Sequence, residues 1–257
     1  MKKSALLLLS LAFIFLSCNK DEENDEPQNE GLTPKQEQWG FAINYTATWC
    51  GPCGDWGAPL IHELSDAGDV IAITAHSSGD PMFNSVLFTS FNGDRPVGAS
   101  IPAFWIGDVK STDTSTMNTL LQQVPIAGIA IKSSKTDSSM TIQTKTRFFD
   151  AGSSKFFLSV LILEDGIDGS ASAGDYEQNG VADPTNYKHD YVLRASSVSN
   201  NAYGEELVSS PAQDTIIEKE YVIALNPNWG PNVYPVAILW QVDLFSSPNF
   251  KFINAIK

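Results

Sequence analysis

Two of the three cysteines in this 257-residue chain lie three positions apart, in the stretch Thr-Trp-Cys-Gly-Pro-Cys at 48–53. Thiols at this spacing can bind a metal, form a structural disulfide, or exchange electrons with other disulfides. A structural zinc site would need two more ligands, and the available histidines, His62, His76 and His189, are scattered along the chain. The sequence therefore argues against zinc and leaves a structural clip and a redox-active dithiol as alternatives.

The residues around the cysteine pair favour redox chemistry. A helix that begins at Cys50 would direct unpaired backbone N–H groups and the positive end of its dipole at that thiol, which stabilises the thiolate. Cys50 is then the attacking nucleophile, and Cys53, one turn later, resolves the mixed disulfide. Between them lie Gly51 and Pro52, and a proline is tolerated in a first turn because its missing N–H costs little there. Trp49 is expected to cover one side of the sulfur pair.

The elements that must position this pair alternate between strand and helix. The predicted strands are Trp39–Ala47, Val70–His76 and a hairpin of Ala103–Gly107 with Val109–Lys110, and the predicted helices are Cys50–Ser65, Phe83–Phe91 and Thr114–Val124. This order predicts a small α/β layer with a mixed sheet.

After Pro125 the pattern changes to strands alone. The strand-like segments are Ile126–Ser133, Met140–Phe148, Lys155–Leu163, Tyr187–Ser196, Ile216–Leu225, Val233–Phe245 and Phe250–Ile256. Polar and apolar residues alternate clearly in several of them, and Gly, Asn, Asp, Ser and Pro separate them. This arrangement predicts an all-β, immunoglobulin-like sandwich domain at 126–257.

The stretch Tyr-Thr-Ala-Thr-Trp-Cys-Gly-Pro-Cys at 45–53 resembles the active site of the thioredoxin superfamily, and in particular its periplasmic, membrane-anchored reductases. Further on, Ser-Ile-Pro-Ala-Phe-Trp-Ile-Gly at 100–107 resembles the Ile-Pro-Thr segment of the superfamily. The resemblance implies an α/β thioredoxin-like domain at 36–125. It also implies a Cys50–Cys53 disulfide and a cis peptide bond between Ile101 and Pro102 beside that disulfide.

One position departs from the superfamily pattern. Thioredoxin carries a buried acid six positions before its first active-site cysteine, and this chain has Asn44 there. An amide cannot accept the proton that the second cysteine must lose. His76 ends a predicted parallel strand, where ligands gather in such sheets, and is the candidate replacement base. The alternative, that His76 is a surface-loop histidine, is favoured.

Over nearly the whole chain the sequence resembles the twenty-eight-kilodalton outer-membrane protein family. The similar stretches are His-Ser-Ser-Gly-Asp-Pro-Met at 76–82, Ile-Leu-Glu-Asp-Gly-Ile at 162–167 and Tyr-Lys-His-Asp-Tyr-Val-Leu-Arg-Ala at 187–195. That family couples a thioredoxin-like domain to a β-rich one.

The N-terminus predicts export and a lipid anchor. Residues 1–17 have two lysines, a short apolar run and a final serine, which is typical of a signal peptide. Cys18 follows directly, so we expect cleavage before it and acylation of its thiol; the alternative is an ordinary signal that leaves Cys18 free. Residues 18–35 are expected to form a disordered acidic tether. These features predict an envelope protein anchored to the outer membrane, on its periplasmic or surface face.

The charge of the chain limits its partners. A formal net charge of −14 repels nucleic acid, so we expect no nucleic-acid partner and membrane contact through the lipid alone. The acidic connection Asp165–Asp190 could supply oxygen ligands to Ca²⁺, but its spacing does not match an EF-hand loop. The alternative, a solvated acidic loop, is favoured, and no cofactor is expected.

These observations predict an extracytoplasmic thiol-disulfide oxidoreductase that acts on protein or small disulfides. Its partners would be an envelope protein as substrate and an electron donor. The alternative from another class is a surface binding or assembly protein in which the Cys50–Cys53 disulfide is only structural.

Overall fold

A computed structural model describes residues 31–170 and 176–257. The predicted signal peptide at 1–17, the lipidation of Cys18 and most of the tether at 18–35 therefore lie outside the described residues. Within these ranges, no helix is both long and apolar enough to cross a membrane.

Strands dominate the fold. In chain order they are β1 (Gly40–Thr46), β2 (Val70–His76), β3 (Ala103–Ile106), β4 (Val109–Lys110), β5 (Ala127–Lys135), β6 (Ser139–Phe148), β7 (Lys155–Glu164), β8 (Ile167–Asp168), β9 (Lys188–His189), β10 (Val192–Ser196), β11 (Glu205–Ser209), β12 (Ile216–Ala224), β13 (Val233–Val242) and β14 (Phe250–Ile256). The α-helices of the described chain are short: α1 (Ala58–Ser65), α2 (Ser85–Asp94) and α3 (Ser115–Leu121). A π-helical turn, Cys53–Gly57, leads into α1.

One mixed sheet of nine strands runs through most of the molecule. Its order is β14-β13-β7-β10-β2-β1-β3-β4, and β11 pairs with β7 outside this path. β1 and β2 are parallel over their whole length, and β10 joins the free edge of β2 in parallel at Val192 and Thr74. Strands β12, β6 and β5 form a separate three-stranded sheet, and β8 pairs with β9.

The predicted fold class, an α/β thioredoxin-like domain followed by an immunoglobulin-like sandwich, is wrong. The described chain has fourteen strands and three short α-helices, and strands from both predicted halves share one sheet. The reason is visible in β7, which is buried on both faces: Leu158 and Val160 belong to one core, and Leu161 and Leu163 belong to another. A strand covered on both faces is the centre of a sheet and not one side of a sandwich. The boundary between 36–125 and 126–257 stays a prediction.

The two faces of the β1–β2 pair pack against different cores. On one face, Phe41, Ile43 and Ile73 pack with residues of α2, β7, β13 and β14 in a core that spans both halves of the chain. On the other face, Ala42 and Ala72 pack beneath α1 and α3. Side chains alternate between faces along a strand. Asn44 and Thr46 on β1, and Thr74 and His76 on β2, therefore also lie on the α1 side.

Arg95 ties the two halves together from inside the first core. Its side chain is fully buried, and its guanidinium lies 4.7 Å from the centre of the Trp240 ring. All five of its N–H donors have acceptors. The acceptors are Gly107 O (3.2 Å), Asp94 Oδ2 (2.9 Å), the Tyr203 hydroxyl (3.1 Å), Asp108 Oδ1 (2.7 Å) and Phe250 O (2.7 Å).

Candidate active site

Cys50 and Cys53 form a disulfide whose Cα atoms are 5.2 Å apart. Cys50 immediately precedes the helical residues Gly51 and Pro52, and the backbone N–H of Cys53 donates to Cys50 Sγ at 3.2 Å. Cys50 is 6% exposed and Cys53 is 1% exposed. Any partner that reaches the disulfide therefore meets Cys50 first, and a thiolate on Cys50 would receive a hydrogen bond from Cys53.

The helix after the disulfide is not the regular α-helix predicted for Cys50–Ser65. Its first part is the π-helical turn, which ends where the N–H of Ala58 donates to Cys53 O. Pro59 lies next, and because it has no N–H it cannot continue an α-helical ladder there. Such π turns are frequent at functional sites.

Close packing holds this turn against two other segments. A Cβ on Gly57 would approach Pro102 to 3.0 Å, and a Cβ on Gly54 would approach Asn179 O to 2.1 Å. Only glycine fits at position 54, since the neighbouring atom is rigid backbone.

The predicted cis peptide bond between Ile101 and Pro102 is confirmed. Ile101 packs against Ala47 and both cysteines, and its carbonyl oxygen lies 3.9 Å from Cys50 Sγ. The backbone of this segment thus borders the sulfur that a partner would reach first.

Two tryptophans near the disulfide are partly exposed. Trp49 is 51% exposed, and its indole nitrogen lies near Gly79, while Trp56 is 41% exposed and packs on Phe104. Trp49 was predicted to cover one side of the sulfur pair. In the structure it presents much of its ring to solvent.

A segment from the predicted acidic connection covers the loop before the disulfide. We call residues 176–181 the clamp segment. Within it, the buried Gln178 amide donates to the carbonyl oxygens of Ala47 (3.2 Å) and Cys50 (3.2 Å), and the Asn179 N–H donates to Thr48 O (2.8 Å). Sequence reasoning missed these residues because no local pattern links positions about 130 apart.

The acidic side chains of the same connection have protein partners. Asp165 accepts from Tyr191 N and the Tyr234 hydroxyl, Asp190 accepts from Gly166 N, and Asp168 pairs with Lys188. In 31–170 and 176–257, no group of three or more His, Cys, Asp or Glu residues could hold a metal ion. Part of the proposed calcium loop, 171–175, lies outside these ranges.

His76 is buried and not the surface histidine of the alternative interpretation. Its side chain is 1% exposed, and Nδ1 lies 3.0 Å from Oδ2 of the fully buried Asp80, although the ring N–H is poorly aligned with that oxygen. Asp80 also accepts from Thr48 N (2.6 Å) and Met82 N (2.8 Å). Burial raises the pKa of Asp80, but the contact with His76 and the two N–H groups outweigh burial and leave that pKa below its ordinary value.

The other two histidines have different surroundings. The His189 ring lies 5.7 Å from the His76 ring, and its Nε2 lies 2.6 Å from Tyr176 O. Burial, with the nearby charge of His76, lowers the pKa of His189 to about 4, so this ring is neutral at neutral pH. His62 lies on α1, part exposed, 3.9 Å from Asp190.

The predicted site residues of the described chain thus fall into two groups, one at the disulfide and one at a small cavity. Cys50, Cys53, Ile101 and Pro102 come together, with Trp49, Gly51 and Pro52 in the same turn, while Asn44 and His76 line a small cavity on the α1 side. Cys18 lies outside the described residues. The residues that sequence reasoning missed are Asp80, Gln178 and His189.

Comparison with known proteins gives a likeness in fold. The sequence matches no family model and no curated protein. Among solved structures, HBP35 of Porphyromonas gingivalis superposes with a TM-score of 0.69 over 87% of this chain and 75% of that chain, at 17% sequence identity. At this identity the likeness shows a shared fold.

Proposed function

We propose that this protein is an extracytoplasmic thiol-disulfide oxidoreductase that reduces or exchanges disulfides through Cys50 and Cys53. The observation that carries the proposal is the N–H of Cys53 directed at Cys50 Sγ, 3.2 Å away, in the first turn of a helix. This hydrogen bond and the helix dipole both stabilise a thiolate on Cys50. A structural clip needs neither.

The reaction then proceeds in two exchanges. In the reduced protein, the Cys50 thiolate attacks a substrate disulfide, forms a mixed disulfide and releases the first substrate thiol. Cys53 attacks Cys50 Sγ, which closes the internal disulfide and releases the second substrate thiol. The substrate is reduced by two electrons, and a separate dithiol donor must reduce the protein again.

The surface around Cys50 suits a polypeptide substrate. The half-exposed rings of Trp49 and Trp56 offer apolar contacts near the disulfide. An open groove of about 500 Å³ adjoins the cis peptide bond and is lined in part by Val97, Pro102 and Phe104. An extended chain in this groove could bring its disulfide to Cys50.

The rival function is a binding or assembly module with a structural disulfide. The observation in its favour is the burial of both sulfurs, together with the clamp segment that covers the preceding loop. In this case Cys50–Cys53 would hold the loop for a partner and exchange no electrons.

The location and partners of the enzyme are also proposals. The residues at 1–18 support export and a lipid anchor on Cys18, and the stretches at 76–82, 162–167 and 187–195 support membership of the twenty-eight-kilodalton outer-membrane protein family. The substrate would then be an envelope protein or a small disulfide, and the net charge of −14 disfavours nucleic acid.

The reduction potential of the Cys50–Cys53 pair tests the proposal. Equilibration in glutathione and dithiothreitol buffers, followed by alkylation of free thiols, should give a value above about −300 mV, as catalytic pairs have. A value well below about −300 mV is typical of structural disulfides and would favour the binding module.

A further inference from the structure

On the α1 side of β1 and β2, the apolar residues give way to polar ones toward the carboxyl ends of the strands. Along β1, Ala42 is followed on this face by Asn44 and Thr46, and along β2, Ala72 is followed by Thr74 and His76. A pair of parallel strands thus presents a buried polar surface to α1. The exchange described above uses none of these side chains.

These side chains enclose a small cavity with room for about one water molecule, 20 Å³ in volume. Its polar lining includes Asn44, Thr46, Thr74, His76, Gln178 and His189. Asn44 is 1% exposed, and its Oδ1 has no hydrogen-bond partner among residues 31–170 and 176–257. An unpaired buried oxygen costs about 1–3 kcal/mol, so a water that bridges it to neighbouring polar groups would be stabilising.

The cavity lies beside the segments that carry the dithiol. Gln178 lines the cavity and donates to Ala47 O and Cys50 O, and Ala47 packs directly against Cys50 and Cys53. Ala58, the residue after the π-helical turn, lines the cavity from the helix side. Gln178 and Ala58 thus connect the cavity to the loop and the turn that carry Cys50 and Cys53.

The contact with Asp80 orients the His76 ring. The Asp80 carboxylate beside Nδ1 favours a proton on that nitrogen, which leaves Nε2 as the acceptor of the ring. The same carboxylate stabilises the imidazolium that forms when Nε2 is protonated.

We propose that His76, positioned by Asp80, accepts the proton of Cys53 through a water molecule in this cavity. The inference rests on the proposed function. In the mixed disulfide, the Cys53 thiol gives its proton to the water as the water gives one to His76 Nε2. The Cys53 thiolate then forms the bond to Cys50 Sγ, the bond from Cys50 to the substrate breaks, and the substrate leaves as a thiolate that takes a proton from solvent.

The other charged groups around His76 do not replace it. His189, on β9, has its pKa lowered to about 4 by burial, so it is a poor acceptor at neutral pH. Burial raises the pKa of Tyr187 to about 12, so it stays protonated. His62 on α1 also lines the cavity, but its side chain is 38% exposed and lies 3.9 Å from Asp190, and Arg194 on β10 pairs with Glu164.

A single-turnover experiment separates the two exchanges. The reduced protein is mixed with oxidised glutathione between about pH 5 and pH 9, and the mixed disulfide and the closed disulfide are quantified by mass spectrometry after an acid quench. His76→Asn should close the disulfide about 10²-fold more slowly near neutral pH and should lose the acid limb of the pH profile. Formation of the mixed disulfide should change by less than about two-fold.

Glu63→Gln is the control because it removes a titratable side chain from the exposed face of α1, outside the cavity lining, and both rates should stay at the wild-type value. Closure by His76→Asn at the wild-type rate with the wild-type pH profile would overturn the inference. If no mixed disulfide forms in the wild-type protein, the proposed function itself has failed. The two failures are therefore distinguishable.

A second measurement uses the wild-type protein, so it does not depend on whether a His76 variant folds. Heteronuclear NMR of the wild-type imidazoles should show that the titration of His76 differs between the disulfide and dithiol states, since the buried proton is shared with Cys53. If His76 titrates identically in the disulfide and dithiol states, the inference is also overturned.

Discussion

Cys50→Ser should lower the rate at which the reduced protein cleaves insulin disulfides by on the order of 10³-fold or more. The serine hydroxyl is not ionised near neutral pH, so no nucleophile remains at the more exposed of the two sulfur positions. Cys53 is 1% exposed and cannot take over the attack. The measurement is the turbidity of precipitating insulin chains with dithiothreitol as electron donor.

Cys18→Ser provides the matched control, since it removes the remaining cysteine and should leave the insulin rate of the soluble protein unchanged. If Cys50→Ser reduces insulin as fast as the wild type, Cys50 is not the nucleophile and the proposed mechanism fails.

Arg95→Met should destabilise the fold by about 3–5 kcal/mol. The substitution roughly preserves apolar contact with Trp240 but removes five N–H donors from a fully buried position. Asp94 and Asp108 lose the positive charge that they pair with and keep backbone N–H donors, and the carbonyl oxygens of Gly107 and Phe250 lose a donor. The measurement is the free energy of unfolding in urea, followed by circular dichroism.

The matched control for this prediction is Arg147→Met. Arg147 forms an ion pair of the same length with Asp214, 2.7 Å, but at the surface, so its loss should cost no more than about 1 kcal/mol. An Arg95→Met protein as stable as the control would show that the buried network does not hold the halves of the chain together.

The sequence was informative where the signal is local. The bounds of β2 match the predicted strand Val70–His76, because an apolar run between polar turns identifies a buried strand. The Trp-Cys-Gly-Pro-Cys stretch located the disulfide, and Ser-Ile-Pro located the cis peptide bond.

Long-range pairing could not be predicted in the same way. The sequence pattern predicts a strand at Tyr187–Ser196, but it does not indicate that β10, the second part of this segment, joins β2. This pairing is one reason why the predicted fold class is wrong. Arg95 was missed because a single arginine in a loop-like stretch normally lies at the surface. Its acceptors come from segments as distant as Asp108, Tyr203 and Phe250.

For a related reason, the sequence indicated only some of the residues around the proposed proton path. Asn44 and His76 drew attention by position, and alternation places both on one face of the parallel strands. Asp80 follows a turn, and Gln178 and His189 reach the cavity from the C-terminal half. Only the folded chain brings these three residues to His76.

Trapping of a substrate by Cys53→Ser tests the central claim most directly. In this variant the resolving thiol is absent, so a Cys50 thiolate that attacks a protein disulfide should stay joined to it. The account predicts a mixed disulfide between Cys53→Ser and scrambled, disulfide-bonded ribonuclease, and dithiothreitol should remove it. It should be absent for Cys50→Ser and for the variant that carries both substitutions. If Cys53→Ser folds, carries a free thiol at Cys50 and still forms no mixed disulfide, the pair is a structural clip and the oxidoreductase account is wrong.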